Sequence, residues 1–191
     1  SFSSAIKLEK ERSLKNPDSK PVLVLNFANP VHPGGGVRRG ARAQEEDLCR
    51  KSSLLLSLES QHAKKYYKYN GNLSTYMGSD AMMFTPEVEI IRGADGSLLN
   101  DSVIVAVLTC AAPMISHGLD GMSEIQYQDM VYNRIIGMLK CSAYFGYENL
   151  VLGAWGCGAF GNDAAIISDL FQDALRNFDF YGLKTDDVFC R

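Results

Sequence analysis

The chain has 191 residues, 46% of them hydrophobic, with a formal net charge of -3 and a pI near 5.6. That is enough apolar chain for one globular domain with a core. The acidic balance excludes a whole-molecule field that draws in nucleic acid or an anionic membrane, so any anionic ligand must be held by local geometry.

The five cysteines (Cys49, Cys110, Cys141, Cys157, Cys190) are scattered and contain no CxxC pair, which argues against a disulfide framework and against a zinc site. No basic-then-apolar leader opens the chain, and no apolar run approaches the roughly 20 residues that span a bilayer. A cytoplasmic protein without a membrane role is the expectation, and sequence-specific nucleic-acid binding is not expected.

In chain order, residues 1–14 carry helix formers behind capping serines. After a polar break, PVLVLNF at 21–27 is an almost continuous apolar run and reads as a buried strand. A loop from Ala28 to Ala43 holds two prolines and four glycines, and a helix follows over about 44–58, with Leu48, Leu54, Leu55 and Leu58 on one side. The Tyr- and Asn-rich stretch 66–78 has no clear period. MMFTPEVEIIR at 82–92 and SVIVAVLTC at 102–110 read as strands around a Gly93–Gly96 turn. A long helix is expected over about 122–145, with Ile125, Ile135, Ile136 and Leu139 among its apolar positions. NLVLGAW at 149–155 reads as a further strand, residues 163–178 as a helix, and DVFC at 187–190 as a last strand. Strands alternating with helices, with apolar strands covered on both faces, predict an α/β layered fold and one domain over 1–191.

Two loops carry the chemistry. The first, NPVHPGGGVRRGARAQEE, joins a buried strand to a helix start, where open α/β sheets bind ligands. Three consecutive glycines serve either a tight turn or a close approach of backbone to a ligand. The second, GAWGCGAFGN at 153–162, has the same strand–loop–helix setting, and successive N–H groups in such a loop make an anion-binding concavity. Gly156, Gly158 and Gly161 fit a dinucleotide spacing only loosely, and no GxxxxGK[ST] is present. Two such loops suit a diphosphate flanked by sugars. Gln44-Glu45-Glu46 starts the helix after the first loop; the acids there answer either to the helix dipole or to a ligand brought to them by the glycines. Arg38, Arg39 and Arg42 fit a phosphate role or a solvated loop edge equally. His32 fits a structural place in the turn better than a hydrogen bond to a ligand, Trp155 fits packing beneath the second loop better than stacking on adenine, and Cys157 lacks the base partner a nucleophile needs.

PGGG at 33–36, seven intervening residues and QEE at 44–46 resemble the GGG-x(6–8)-QEE signature of poly(ADP-ribose) glycohydrolases, in the compact bacterial form built on a macrodomain. VLNFANPVHPGGGV, GARAQEEDLCR, the FTPEVEIIR region, AAPM and LVLGAWGCGAFGN extend the resemblance from about Val22 to Phe171. It implies a macrodomain-like three-layer α/β/α fold with a mixed central sheet, shortened at both ends relative to the family. It also implies hydrolysis of the ribose–ribose O-glycosidic bonds of poly(ADP-ribose), free or attached to protein, by a monomer with no cofactor and no metal. Glu46 would be the catalytic acid and base, and Glu45 would hold ribose hydroxyls or order the site. Gly34, Gly35 and Gly36 would approach the distal ribose and diphosphate, with Gln44 and Asn29 also on the substrate side. Gly156, Cys157, Gly158, Ala159 and Gly161 would form the diphosphate loop, and Phe160 would place its ring against the terminal ribose. Two other activities use the same cleft: hydrolysis of a single ADP-ribose from a side chain or nucleobase, and ADP-ribose binding without catalysis.

A glycosidic bond breaks through an oxocarbenium-like transition state, so the leaving oxygen must be protonated while positive charge grows at the anomeric carbon. One carboxyl can give that proton and afterwards take one from the attacking water.

Overall fold

The computed structural model describes residues 1–178 and the backbone of Val188–Phe189. Helix α1 spans Phe2–Lys15 and leads to strand β1, Leu23–Phe27. The first glycine loop then makes a 3-10 turn at Val37–Arg39 before α2, Gln44–Lys51. Two short helices follow, α3 at Leu54–Leu58 and α4 at Lys64–Gly71, and then the long strands β2, Met82–Arg92, and β3, Leu98–Cys110. The remaining elements are α5 (Glu124–Tyr144), β4 (Leu150–Val151), α6 (Ala164–Asn177) and β5 (Val188–Phe189).

The sheet runs β2-β3-β1-β4-β5; β2 pairs antiparallel with β3, and every other pairing is parallel. Side chains of a strand alternate between faces, and β1 uses both. Leu23 and Leu25 join the core built with Tyr127, Val131, Ile135 and Leu139 of α5 and Phe171 of α6. Val22 and Val24 join the opposite core, with Phe2 and Ala5 of α1, Leu48 of α2, Leu54 and Leu58 of α3 and Tyr66 of α4. The fold is therefore α/β/α around a mixed sheet, as the resemblance implied.

Local differences from the sequence reading have physical causes. The helix expected over 44–58 is broken at Ser52, which makes an isolated bridge to Ile90 and whose hydroxyl caps Leu48 O. The patternless stretch 66–78 begins inside α4, whose buried Tyr66, Tyr67 and Asn70 mix polar and apolar groups and blur the period. Strand β3 starts earlier than 102, because its outer half pairs with β2 beyond the core. Strand β4 is only two residues long, not seven, since the chain leaves β1 after Val151. Ile125 is 73% exposed; the buried stripe of α5 runs through Tyr127, Val131, Arg134, Met138 and Ser142, away from its first turn. Of the terminal strand expected at 187–190, Asp187 and Cys190 lie outside the described residues. No helix among the described residues is long and apolar enough to cross a membrane.

Candidate active site

The early end of β4 opens the sheet at the carboxyl end of β1, and Gln44 closes the gap. Its Oε1 accepts from Phe27 N–H at 2.9 Å and its Nε2 donates to Leu25 O at 2.7 Å. The carboxamide thus stands where a peptide group of β4 would have been, satisfying backbone groups that would otherwise be orphaned. Gln44, expected on the substrate side, has both ends of its amide engaged by β1, with Ser1 Oγ a further acceptor at 3.2 Å. This contact fixes where α2 begins, and with it the two residues that follow.

Glu45 and Glu46 are 3% and 6% exposed. Glu45 Oε2 accepts from Asn29 N–H at 2.8 Å, and its Oε1 from Asn26 Nδ2 at 3.3 Å. Burial pushes the Glu45 carboxyl up to about 7; the N–H of Asn29 and the amide of Asn26 oppose this, and the Glu46 charge adds to it. Glu46 Oε1 accepts from Gly36 N–H at 2.8 Å, while its Oε2 is buried with no partner in the protein. A buried carboxylate oxygen without a donor is rare in folded proteins and calls for an explanation.

The glycines explain how the pair is approached. Gly35 has φ +57, and a Cβ there would stand 2.5 Å from Glu46 Oε1 and 3.2 Å from Glu45 Oε2. The backbone of the loop therefore lies directly on the carboxyls, which only glycine permits. At Gly34 a Cβ would meet Leu55 at 2.6 Å. Asn29 Oδ1 accepts from the N–H groups of Val31 and His32 and so folds the start of the loop. His32 acts through its backbone, its carbonyl receiving Gly35 N–H. Arg38 is paired with Glu59 at 2.8 Å on the surface, and Arg50 holds the loop by Val37 O and Ala41 O.

The second loop is built around Asn162, which is 3% exposed. Its Nδ2 donates to Pro113 O and Gly156 O, both at 2.8 Å, and its Oδ1 receives the Tyr127 hydroxyl at 2.6 Å. Gly156 turns at φ +76, where a Cβ would meet Ala112 and Asn162 at 2.5 Å. Trp155 is wholly buried at the base of the loop and donates Nε1–H to Cys110 O at 3.0 Å. Asp163 caps α6 by accepting from Ala165 and Ile166. Two amides of the helix end are thus satisfied, and the consecutive amides of Gly158, Ala159 and Phe160 have no acceptor among the described residues. Successive unbonded amides are the arrangement by which loops hold anions in general. Phe160 O is in turn held by the N–H groups of Ile115 and Ser116. Burial holds the Cys157 thiol above its usual range, with Asp163 adding to this, which fits a packing role.

A cleft of about 390 Å³ opens between α1 and the ends of β1 and β4, lined by Ser4, Lys7, Phe27, Leu152, Gly153 and Ala154 among others. Phe27 and Ala154 run directly into the two glycine loops. The sequence reading did not single out Asn26 or Asn162. Each is a polar residue set against an apolar strand or core, the signal that a buried partner must exist.

Fold and site together define an α/β domain with a buried carboxylate pair between two glycine loops at the strand ends. The comparisons specify it further. Residues 3–93 match the family model for the catalytic domain of microbial-type poly(ADP-ribose) glycohydrolase (PARG). A search of curated proteins returns no match. Among solved structures, PARG from Deinococcus radiodurans in complex with ADP-ribose superposes with a TM-score of 0.84 at 32% identity, covering 99% of this chain and 71% of that one. PARG from Thermomonospora curvata superposes with a TM-score of 0.84 at 32% identity, covering 98% of this chain and 67% of that one. The same enzyme bound to the inhibitor ADP-HPD gives 0.80 at 33% identity, covering 90% of this chain and 63% of that one, so the chain spans less than two thirds of that relative. The chain belongs to the poly(ADP-ribose) glycohydrolase family of glycoside hydrolases.

Proposed function

We propose that this chain hydrolyses the ribose–ribose O-glycosidic bonds of poly(ADP-ribose), free or attached to protein, and releases ADP-ribose. The observation that carries this reading is Glu46: one carboxylate oxygen fixed by Gly36 N–H, the other buried and unpartnered, under a glycine loop with no side chain in the way. In the reaction Glu46 protonates the oxygen leaving the anomeric carbon. The resulting carboxylate then takes a proton from the water that attacks that carbon, and returns to its acid form for the next cycle. Glu45, whose carboxyl holds its proton to about pH 7, positions ribose hydroxyls and keeps a second negative charge away from Glu46.

The diphosphate lies on the free amides of Gly158, Ala159 and Phe160, with Gly34, Gly35 and Gly36 on its other side and Phe160 against the terminal ribose. The base end lies in the cleft beside α1. Asn29 serves through its free Nδ2, since its Oδ1 is committed to the turn. Gly156, Cys157 and Gly161 shape the cradle, and Gln44 sets the frame. A cytoplasmic location fits the unpaired state of Cys49, Cys110, Cys141 and Cys157. The test is incubation of the protein with poly(ADP-ribose) and quantitation of free ADP-ribose. Release supports the reading; binding of ADP-ribose with no release from any chain length makes the domain a reader.

A further inference from the structure

Outside the carboxylate pair and the cradle, one arrangement has no role in the chemistry above. The rings of Tyr76 and His117 stack at 4.8 Å between centroids and 12° between planes, yet both residues are exposed, Tyr76 by 59%. Stacked rings normally contribute by being buried; this pair keeps an aromatic surface in solvent.

Its location is fixed by the backbone. Met114 N–H donates to Tyr76 O at 2.9 Å, and the next two amides, of Ile115 and Ser116, hold Phe160 O at 2.9 and 3.2 Å. On the other flank the buried Arg134 clamps Met77 O and Ala111 O, each at 3.1 Å. Ser116 Oγ lies 3.2 Å from His117 Nδ1 and orients that ring. The backbone carrying the pair is therefore anchored at the outer rim of the second loop, beside Phe160. The cleft lined by α1 lies at the opposite, β4 side of the site.

On the reading given under Proposed function, one ADP-ribose unit fills the site with its distal ribose at Glu46. The bond to be cut joins that sugar to the adenosine ribose of the next unit, so the leaving group carries an adenine one sugar away from the cleavage point. We propose that the Tyr76–His117 stack is a second binding site, a platform for the adenine of this leaving unit. A π-face accepts a purine with little demand on hydrogen bonding, and a base stacked on an aromatic side chain typically tightens binding by about fivefold to 100-fold. The platform gives the chain a preference for polymer over a single ADP-ribose, which the carboxylates and cradle alone do not supply.

The experiment measures equilibrium binding of ADP-ribose and of a two-unit ADP-ribose chain to the Glu46→Gln protein, alone and with Tyr76→Ala or Tyr76→Trp. The expected result is tighter binding of the two-unit chain by about tenfold, loss of that margin in Tyr76→Ala, and its retention in Tyr76→Trp, with ADP-ribose affinity equal in all three. Equal binding of the one-unit and two-unit ligands, or a margin that survives Tyr76→Ala, overturns the platform. Loss of ADP-ribose binding altogether in the Glu46→Gln protein overturns both the site and the platform. If the margin behaves as expected but the native protein releases no ADP-ribose from polymer, the platform stands and the glycohydrolase reading falls.

Discussion

Glu46 and Glu45 sit side by side in sequence but meet different surroundings, and their expected behaviour diverges accordingly. Gly35 has no room for a methyl group, since its Cβ would lie 2.5 Å from Glu46 Oε1. Gly35→Ala therefore displaces the carboxylate, and a fall in kcat of roughly 100-fold is expected, because misplacing a reacting group by about 1 Å carries that penalty. Gly40→Ala is the matched control: φ is +81 but nothing lies within 4 Å. It should lower stability by about 1 kcal/mol through backbone strain and leave kcat unchanged. Glu45 shows itself in pH dependence. Its folded-state pKa of about 7 exceeds the model-compound value of 4.5, so the folded state binds more protons than the unfolded state between those limits. Stability from this group is present below about pH 4.5 and is lost as pH rises to about 7, by an amount on the order of 3 kcal/mol. Denaturant unfolding at pH 5 and pH 8 should show that loss in the native protein and not in Glu45→Gln, so that the stability difference between the two proteins changes with pH. An equal pH response in both proteins would refute the assignment.

At the scale of elements, the site exists because β4 stops after two residues and α2 supplies the missing pairing through Gln44. Gln44→Ala leaves Leu25 O and Phe27 N–H without partners, and at about 1–3 kcal/mol for each unsatisfied group the unfolding free energy should drop by about 2–6 kcal/mol. A drop below about 0.5 kcal/mol would mean that the split strand is satisfied in some other way. This is also where the sequence was least informative. The strands β1 and β3 and the helices α5 and α6 were legible, because apolar runs and stripes report burial directly. The break at Ser52 and the two-residue length of β4 were not, since both depend on contacts with residues distant in sequence, Ile90 and Gln44. The glycine loops and Glu pair could be read because glycine triplets and adjacent acids stand out locally. Asn26 and Asn162, which hold Glu45 and the second loop, did not stand out, because a lone asparagine reveals its partners only in three dimensions.

For the whole molecule, a net charge of -3 leaves ligand capture to local amides, so affinity for ADP-ribose should depend little on salt compared with a protein that binds through many lysines and arginines. Ligand that binds only the folded state stabilises it by mass action, about 2.7 kcal/mol at a hundredfold excess over Kd. For a chain of this length that corresponds to a rise in Tm of roughly 5–10 °C, readable by calorimetry with ADP-ribose and absent with equal concentrations of inorganic phosphate. On the proposed reading, Glu46 performs the chemistry within a site that binds ADP-ribose independently of it. The most direct test measures ADP-ribose release from poly(ADP-ribose) and ADP-ribose affinity side by side in the native and Glu46→Gln proteins. The expected result is a loss of release of at least about 100-fold with affinity retained, the scale of a missing general acid and base. Release at the native rate by Glu46→Gln would contradict it.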